Sequence, residues 1–60
     1  MLEQWIGKVV TYYLMGEAEY RERTLVAVDA RGIYAQEPDD SKTTYFVPYS
    51  SIQSMSITAD

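Results

Sequence analysis

The sequence contains neither cysteine nor histidine. Without cysteine no disulfide can reinforce the fold, and without either residue a structural zinc site would need carboxylates alone, a donor set that small zinc folds rarely use. The same two absences remove the usual partners of nucleophilic catalysis. No motif sets a lysine as base beside Ser50 or Ser51, so these turn hydroxyls stand without activation. A protein that is not an enzyme, with no cofactor and no metal, is expected. Basic residues are also few, five against nine acidic ones for a net charge of −4. That balance opposes indiscriminate binding to nucleic acid, which is mostly phosphate neutralisation by lysine and arginine. No apolar run approaches the roughly 20 residues that span a bilayer, and the opening Met1-Leu2-Glu3-Gln4-Trp5-Ile6-Gly7 lacks the charged and apolar regions of a signal peptide. A cytoplasmic protein with no membrane partner follows as the expectation.

What is present is a chain of 60 residues, 47% hydrophobic and 13% aromatic, a composition that folds rather than stays disordered. The length predicts a single domain over residues 1–60 with no repeat or linker. A chain this short buries only about 60% of the surface its unfolded form exposes. With disulfides and zinc set aside, association with further copies is the remaining reinforcement.

The hydrophobic pattern predicts a short helix over residues 2–7 followed by five strands. Leu2, Trp5 and Ile6 fall at helical spacing, with Gly7 as the stop. Residues 8–15 read as a strand with Val10, Tyr12 and Leu14 on one face and Val9, Thr11 and Tyr13 on the other. Gly16 breaks it. Residues 20–28 form the second strand, setting Tyr20, Thr24, Val26 and Val28 against Arg21, Arg23, Ala27 and Asp29. Asp29-Ala30-Arg31-Gly32 is a tight turn, residues 33–36 a third strand, and residues 37–42 a polar hairpin tip. Residues 43–47 and 52–57 are the fourth and fifth strands, separated by Pro48-Tyr49-Ser50-Ser51 and followed by a polar tail, Thr58-Ala59-Asp60.

Charge is placed unevenly along this order. Residues 43–57 contain no charged side chain, whereas every basic residue and every acidic one but Asp60 precedes them. Natural sheets guard exposed edges with charge, bulges or proline. Two unguarded final strands suggest edges that pair with another copy; the competing explanation is that Pro48 alone breaks the edge and the strands close within one chain.

A helix and five short strands, with an aspartate turn after a long second strand and a kink before the last, resemble the Sm-like superfamily that includes bacterial Hfq. Leu2 to Val10 look like its helix and first strand, Leu25-Val26-Ala27-Val28-Asp29 like the segment ending in its aspartate, and Val47-Pro48-Tyr49-Ser50-Ser51-Ile52 like its final turn and strand. The resemblance implies an all-β fold, a five-stranded, strongly bent Sm-like (SH3-like) barrel with a short N-terminal helix. It also implies a hexameric or heptameric ring of copies joined through the fourth and fifth strands, with single-stranded RNA bound at the turns that fall here at residues 29–32 and 48–51. The chain departs from the family at three places: Arg23 stands where a glycine usually eases the bend of the second strand, Ala30 and Ile33 where an asparagine contacts a base, and Tyr49-Ser50 where the last turn usually carries Lys-His or Arg-Gly.

The candidate RNA-binding residues are therefore Asp29, Arg31, Tyr49 and Ser50. Arg31 and Tyr49 can stack on bases through their planar faces; alternatively Arg31 is a solvated turn residue and Tyr49 packs on a neighbouring copy. Arg21, Arg23 and Lys8 read as a salt-bridged solvent face interrupted by Glu19 and Glu22 rather than a phosphate strip. Glu37, Asp39 and Asp40 read as a solvated hairpin tip, their spacing lacking the pattern of a dedicated cation loop. The expected function is a homo-oligomeric ring that binds single-stranded RNA. The alternatives are a ring-forming interaction barrel without RNA, or a monomeric SH3-like adaptor.

Overall fold

In the computed structural model, which describes residues 2–57, the chain opens on a 3-10 turn, Leu2–Trp5, and continues as five strands. These are β1 (Val9–Leu14), β2 (Tyr20–Val28), β3 (Gly32–Glu37), β4 (Asp40–Pro48) and β5 (Ile52–Ile57), with a second 3-10 turn at Tyr49–Ser51. The strands form one antiparallel sheet in the order β4-β3-β2-β1-β5. The all-β class expected from the alternation of β-branched and aromatic residues is what the chain adopts. The tail at residues 58–60 lies outside the described residues. Among those described, no helix is long and apolar enough to cross a membrane.

The core is built where β1, β2, β3 and β4 turn the same face inward. Val10, Tyr12, Leu25, Ile33 and Val47 are buried together, and Leu2, Trp5, Leu14, Val28, Ile52 and Met55 pack around them. Burying an aliphatic or aromatic side chain of this size is worth roughly 1.5–3 kcal/mol. In β1 the inward set is Val10 and Tyr12, as strict alternation requires.

Three expectations needed correction. The N-terminal segment is a single 3-10 turn rather than a helix over residues 2–7: Ile6 N–H donates to Glu3 C=O at 3.3 Å and Lys8 N–H to Trp5 C=O at 3.0 Å, both three-residue closures. Three residues per turn put Leu2 and Trp5 on one line and rotate Ile6 away from it. Ile6 is accordingly 44% exposed while Leu2 and Trp5 reach the core. Gly7, at φ +92°, ends the turn in a conformation glycine adopts at little cost. Its N–H donates to the Leu25 carbonyl at 2.8 Å, so the segment folds back over β2.

The second correction concerns the faces of β2. Strict alternation placed Val26 and Val28 with Tyr20 and Thr24, yet Leu25 is fully buried and Val26 is 39% exposed. Pairing with β3 runs Leu25↔Ala35 and then Ala27↔Tyr34, skipping Val26. This one-residue bulge shifts the alternation, so that Leu25 and Val28 both reach the core, and bulges bend the strand that carries them. The bulge falls three residues beyond Arg23.

Arg23 is free to serve elsewhere. Its side chain, 13% exposed, donates from Nη1 to the Tyr12 hydroxyl at 2.7 Å. It also pairs with Glu37 at 3.5 Å and lies over the Tyr45 ring at 4.0 Å from the centroid. β4 begins earlier than expected, at Asp40, because the hairpin tip is a tight turn at Pro38 and Asp39 with Glu37 opposite Asp40. β4 therefore carries Asp40 and Lys42 at its start, before the uncharged residues 43–57.

Candidate functional site

The β2–β3 turn is organised by one carboxylate. Asp29 Oδ1 accepts the backbone N–H of Arg31 at 2.8 Å and of Gly32 at 3.0 Å, and Oδ2 accepts the Tyr34 hydroxyl at 3.3 Å. The Asp29 N–H itself donates to the Gly32 carbonyl at 3.0 Å. This is the local side-chain-to-backbone bonding that makes aspartate a turn residue. The Arg31 N–H, then that of Gly32, followed by the Tyr34 hydroxyl and the Arg31 charge, favour the ionised form; partial desolvation opposes them, and the net effect holds the carboxyl below the usual aspartate value.

Gly32 carries the turn into β3 opposite Pro48. A Cβ at this position would collide with the Val47 carbonyl oxygen and come within 2.7 Å of Pro48 Cα, so only glycine permits the approach. One consequence is that the β4–β5 turn lies against the β2–β3 turn. Tyr49 N–H donates to the Arg31 carbonyl at 2.9 Å, locking the two together.

Beside this junction the first 3-10 turn leaves an open groove of about 770 Å³. Leu2, Trp5 and Val28 supply apolar walls, and Tyr49, Ala30 and Asp29 the side toward the two turns. Glu3 and Gln4 complete it from the 3-10 turn. Among the described residues no lysine or arginine lines it. A shallow apolar cleft with a few convergent polar groups is the form that small-molecule and base pockets take.

Of the four candidates read from the sequence, Asp29 and Tyr49 line the groove, and Arg31 and Ser50 do not. Arg31 stays in the same turn, exposed and without an ion pair among the described residues, its carbonyl bonded to Tyr49. Sequence reasoning did not reach the contribution of Glu3, Gln4, Trp5 and Val28. The only available signal was the apolar pair Leu2 and Trp5, which had to pack somewhere, and the direction is decided by the Gly7–Leu25 hydrogen bond.

The other charged groups do not converge. Arg21 pairs with Glu17 at 2.9 Å and Arg23 turns inward, which leaves no basic strip with Lys8. At the hairpin tip Glu37 is drawn to Arg23, and Asp40 accepts the Lys42 N–H at 3.0 Å. Among the described residues no three side chains of metal-ligating type gather. Comparison with protein-family models, curated proteins and solved structures found no match to this chain.

Proposed function

We propose that this chain is an Sm-like barrel that assembles as a cytoplasmic ring of six or seven copies through β4 and β5. The ring binds single-stranded RNA on the face carrying the β2–β3 and β4–β5 turns, with Asp29, Arg31, Tyr49 and Ser50 as the residues concerned. The observation that carries the reading is the Tyr49–Arg31 backbone hydrogen bond of 2.9 Å. It brings side by side the two turns at which the Sm-like resemblance expects RNA.

The ring rests on the edges of the sheet. Among the described residues β4 and β5 each pair with one strand and leave an outer edge open. Only the short turn Tyr49–Ser51 separates them. Residues 43–57 offer no charge to block a second copy. Repeating one weak base contact around a ring multiplies its effect by avidity. The second reading, a ring that scaffolds proteins without RNA, is favoured by the groove itself, whose charged lining among the described residues, Glu3 and Asp29, is acidic.

Gel filtration with light scattering tests the ring, expected at six or seven times the chain mass; a particle of 6.9 kDa in dilute solution overturns it. Labelled oligo-U and oligo-A titrated at low and moderate salt test the RNA. Phosphate contacts are strongest at low salt, so absence of binding there overturns the RNA reading in favour of the scaffold. Tyr49→Ala should weaken any binding seen, and an unchanged affinity would remove Tyr49 from the site.

A further inference from the structure

Resting on that RNA reading, we propose that the groove beside Trp5 is a guanine site, in which the Glu3 carboxylate accepts the base's N1–H and N2–H donors. The argument begins with what the groove excludes. Its walls are apolar and aromatic, from Leu2, Trp5, Val28 and Tyr49, and its charged lining residues are both carboxylates. A phosphate would meet repulsion from these two carboxylates, with no lysine or arginine among the described lining residues to offset it. A flat, neutral group with N–H donors on its edge meets apolar walls for its faces and acceptors for its edge.

The two carboxylates are not equivalent. Asp29 is committed, accepting two backbone N–H groups and the Tyr34 hydroxyl. Glu3 is exposed, and its carboxylate has neither a hydrogen bond nor an ion pair. Of the two carboxylates, Glu3 is therefore the one left free to accept from a ligand. An ionised carboxylate offers two oxygens and no donor, so it matches a ligand edge with two adjacent donors.

Among the four RNA bases only guanine has such an edge. Uracil presents a single N–H between two carbonyl oxygens, both repelled by a carboxylate. Adenine and cytosine each set their amino group beside a ring nitrogen that accepts. The groove volume, about 770 Å³, lies within the range of small-ligand sites. Arg31 lies outside the groove, in the turn whose backbone is bonded to Tyr49.

Trp5 is the only tryptophan, so its fluorescence reports occupancy of this groove directly. The full chain would be titrated at low salt with UUGUU, UUUUU and UUIUU, the last carrying inosine, which lacks the N2 amine. Affinity would be read both from Trp5 fluorescence and from the anisotropy of end-labelled RNA. UUGUU is expected to bind about tenfold or more tightly than UUUUU, with inosine between them, as two charge-assisted hydrogen bonds are lost in turn. Glu3→Gln should bring UUGUU to the affinity of UUUUU. Equal affinity for UUGUU and UUUUU, or a guanine preference that survives in Glu3→Gln, overturns the guanine site and leaves the RNA reading intact. Failure of all three oligonucleotides to bind overturns both.

Discussion

The guanidinium of Arg23 lies 4.0 Å from the centroid of the Tyr45 ring. It joins β2 to β4 across β3 while its Nη1 holds the buried Tyr12 hydroxyl at 2.7 Å. The Tyr12 side chain is fully buried, so its hydroxyl needs a partner there, and Arg23 is that partner. An arginine that reads as a surface strand residue thus ties together β1, β2, β3 and β4.

Arg23→Ala should destabilise the chain by about 2 kcal/mol, because it leaves the Tyr12 hydroxyl unpaired in the core and removes the contact with Tyr45. Arg23→Lys should recover only part of this, since an ammonium cannot stack flat on the ring while reaching Tyr12 and Glu37. Urea unfolding would measure both. A double-mutant cycle with Tyr45→Leu should give a coupling of about 0.5–1 kcal/mol.

Adjacent residues of β2 should respond oppositely to truncation. Leu25→Ala removes a fully buried side chain and is expected to cost about 2–5 kcal/mol. Val26→Ala, at the exposed bulge, should change stability by no more than about 0.5 kcal/mol. If the two variants unfold at similar urea concentrations, the register of β2 against β3 is wrong.

Gly32→Ala should be the most damaging of the glycine substitutions. The added methyl meets main-chain atoms of Val47 and Pro48, which cannot rotate aside. At Gly16 a methyl would find open space, and the cost is only that of φ +79°, about 1 kcal/mol. Melting temperatures of the two variants would rank them, with Gly32→Ala the lower.

Asp29 predicts an acid dependence. Its folded pKa lies below its ordinary value of 3.8, so its contribution is fully present above that value and is lost as pH falls through the lowered folded pKa. Asp29→Asn should therefore melt at a lower temperature than the parent at pH 7, with the gap narrowing below pH 3.8 as the parent carboxyl protonates. A gap that widens on acidification would mean that the carboxylate is not what holds the Arg31 and Gly32 N–H groups.

The strands were largely legible because their signals are local. Alternating β-branched and aromatic residues mark β1 and β2, Pro38 and Asp39 mark a turn, and β5 is bounded by the serine turn at residues 49–51. Asp29 and Tyr49 were legible as turn residues, marked by composition and by the Sm-like resemblance, and both line the groove. The exclusions drawn from missing cysteine and histidine, and the uncharged run at residues 43–57, belong entirely to the amino-acid sequence.

Tertiary structure alone decided which faces those strands bury and what surrounds the turns. A period-two reading cannot detect one extra residue, and the bulge at Val26 reverses the faces of β2 beyond it. Arg23 acquires its role only when Tyr12, Glu37 and Tyr45 arrive from three other strands. The groove forms where the segment held by the Gly7–Leu25 and Leu25–Lys8 hydrogen bonds sets Glu3 and Trp5 beside Asp29 and Tyr49. In each case the determinant is a pairing between residues distant in the chain, and the free energy of such a pairing depends on register and packing that local propensity does not encode.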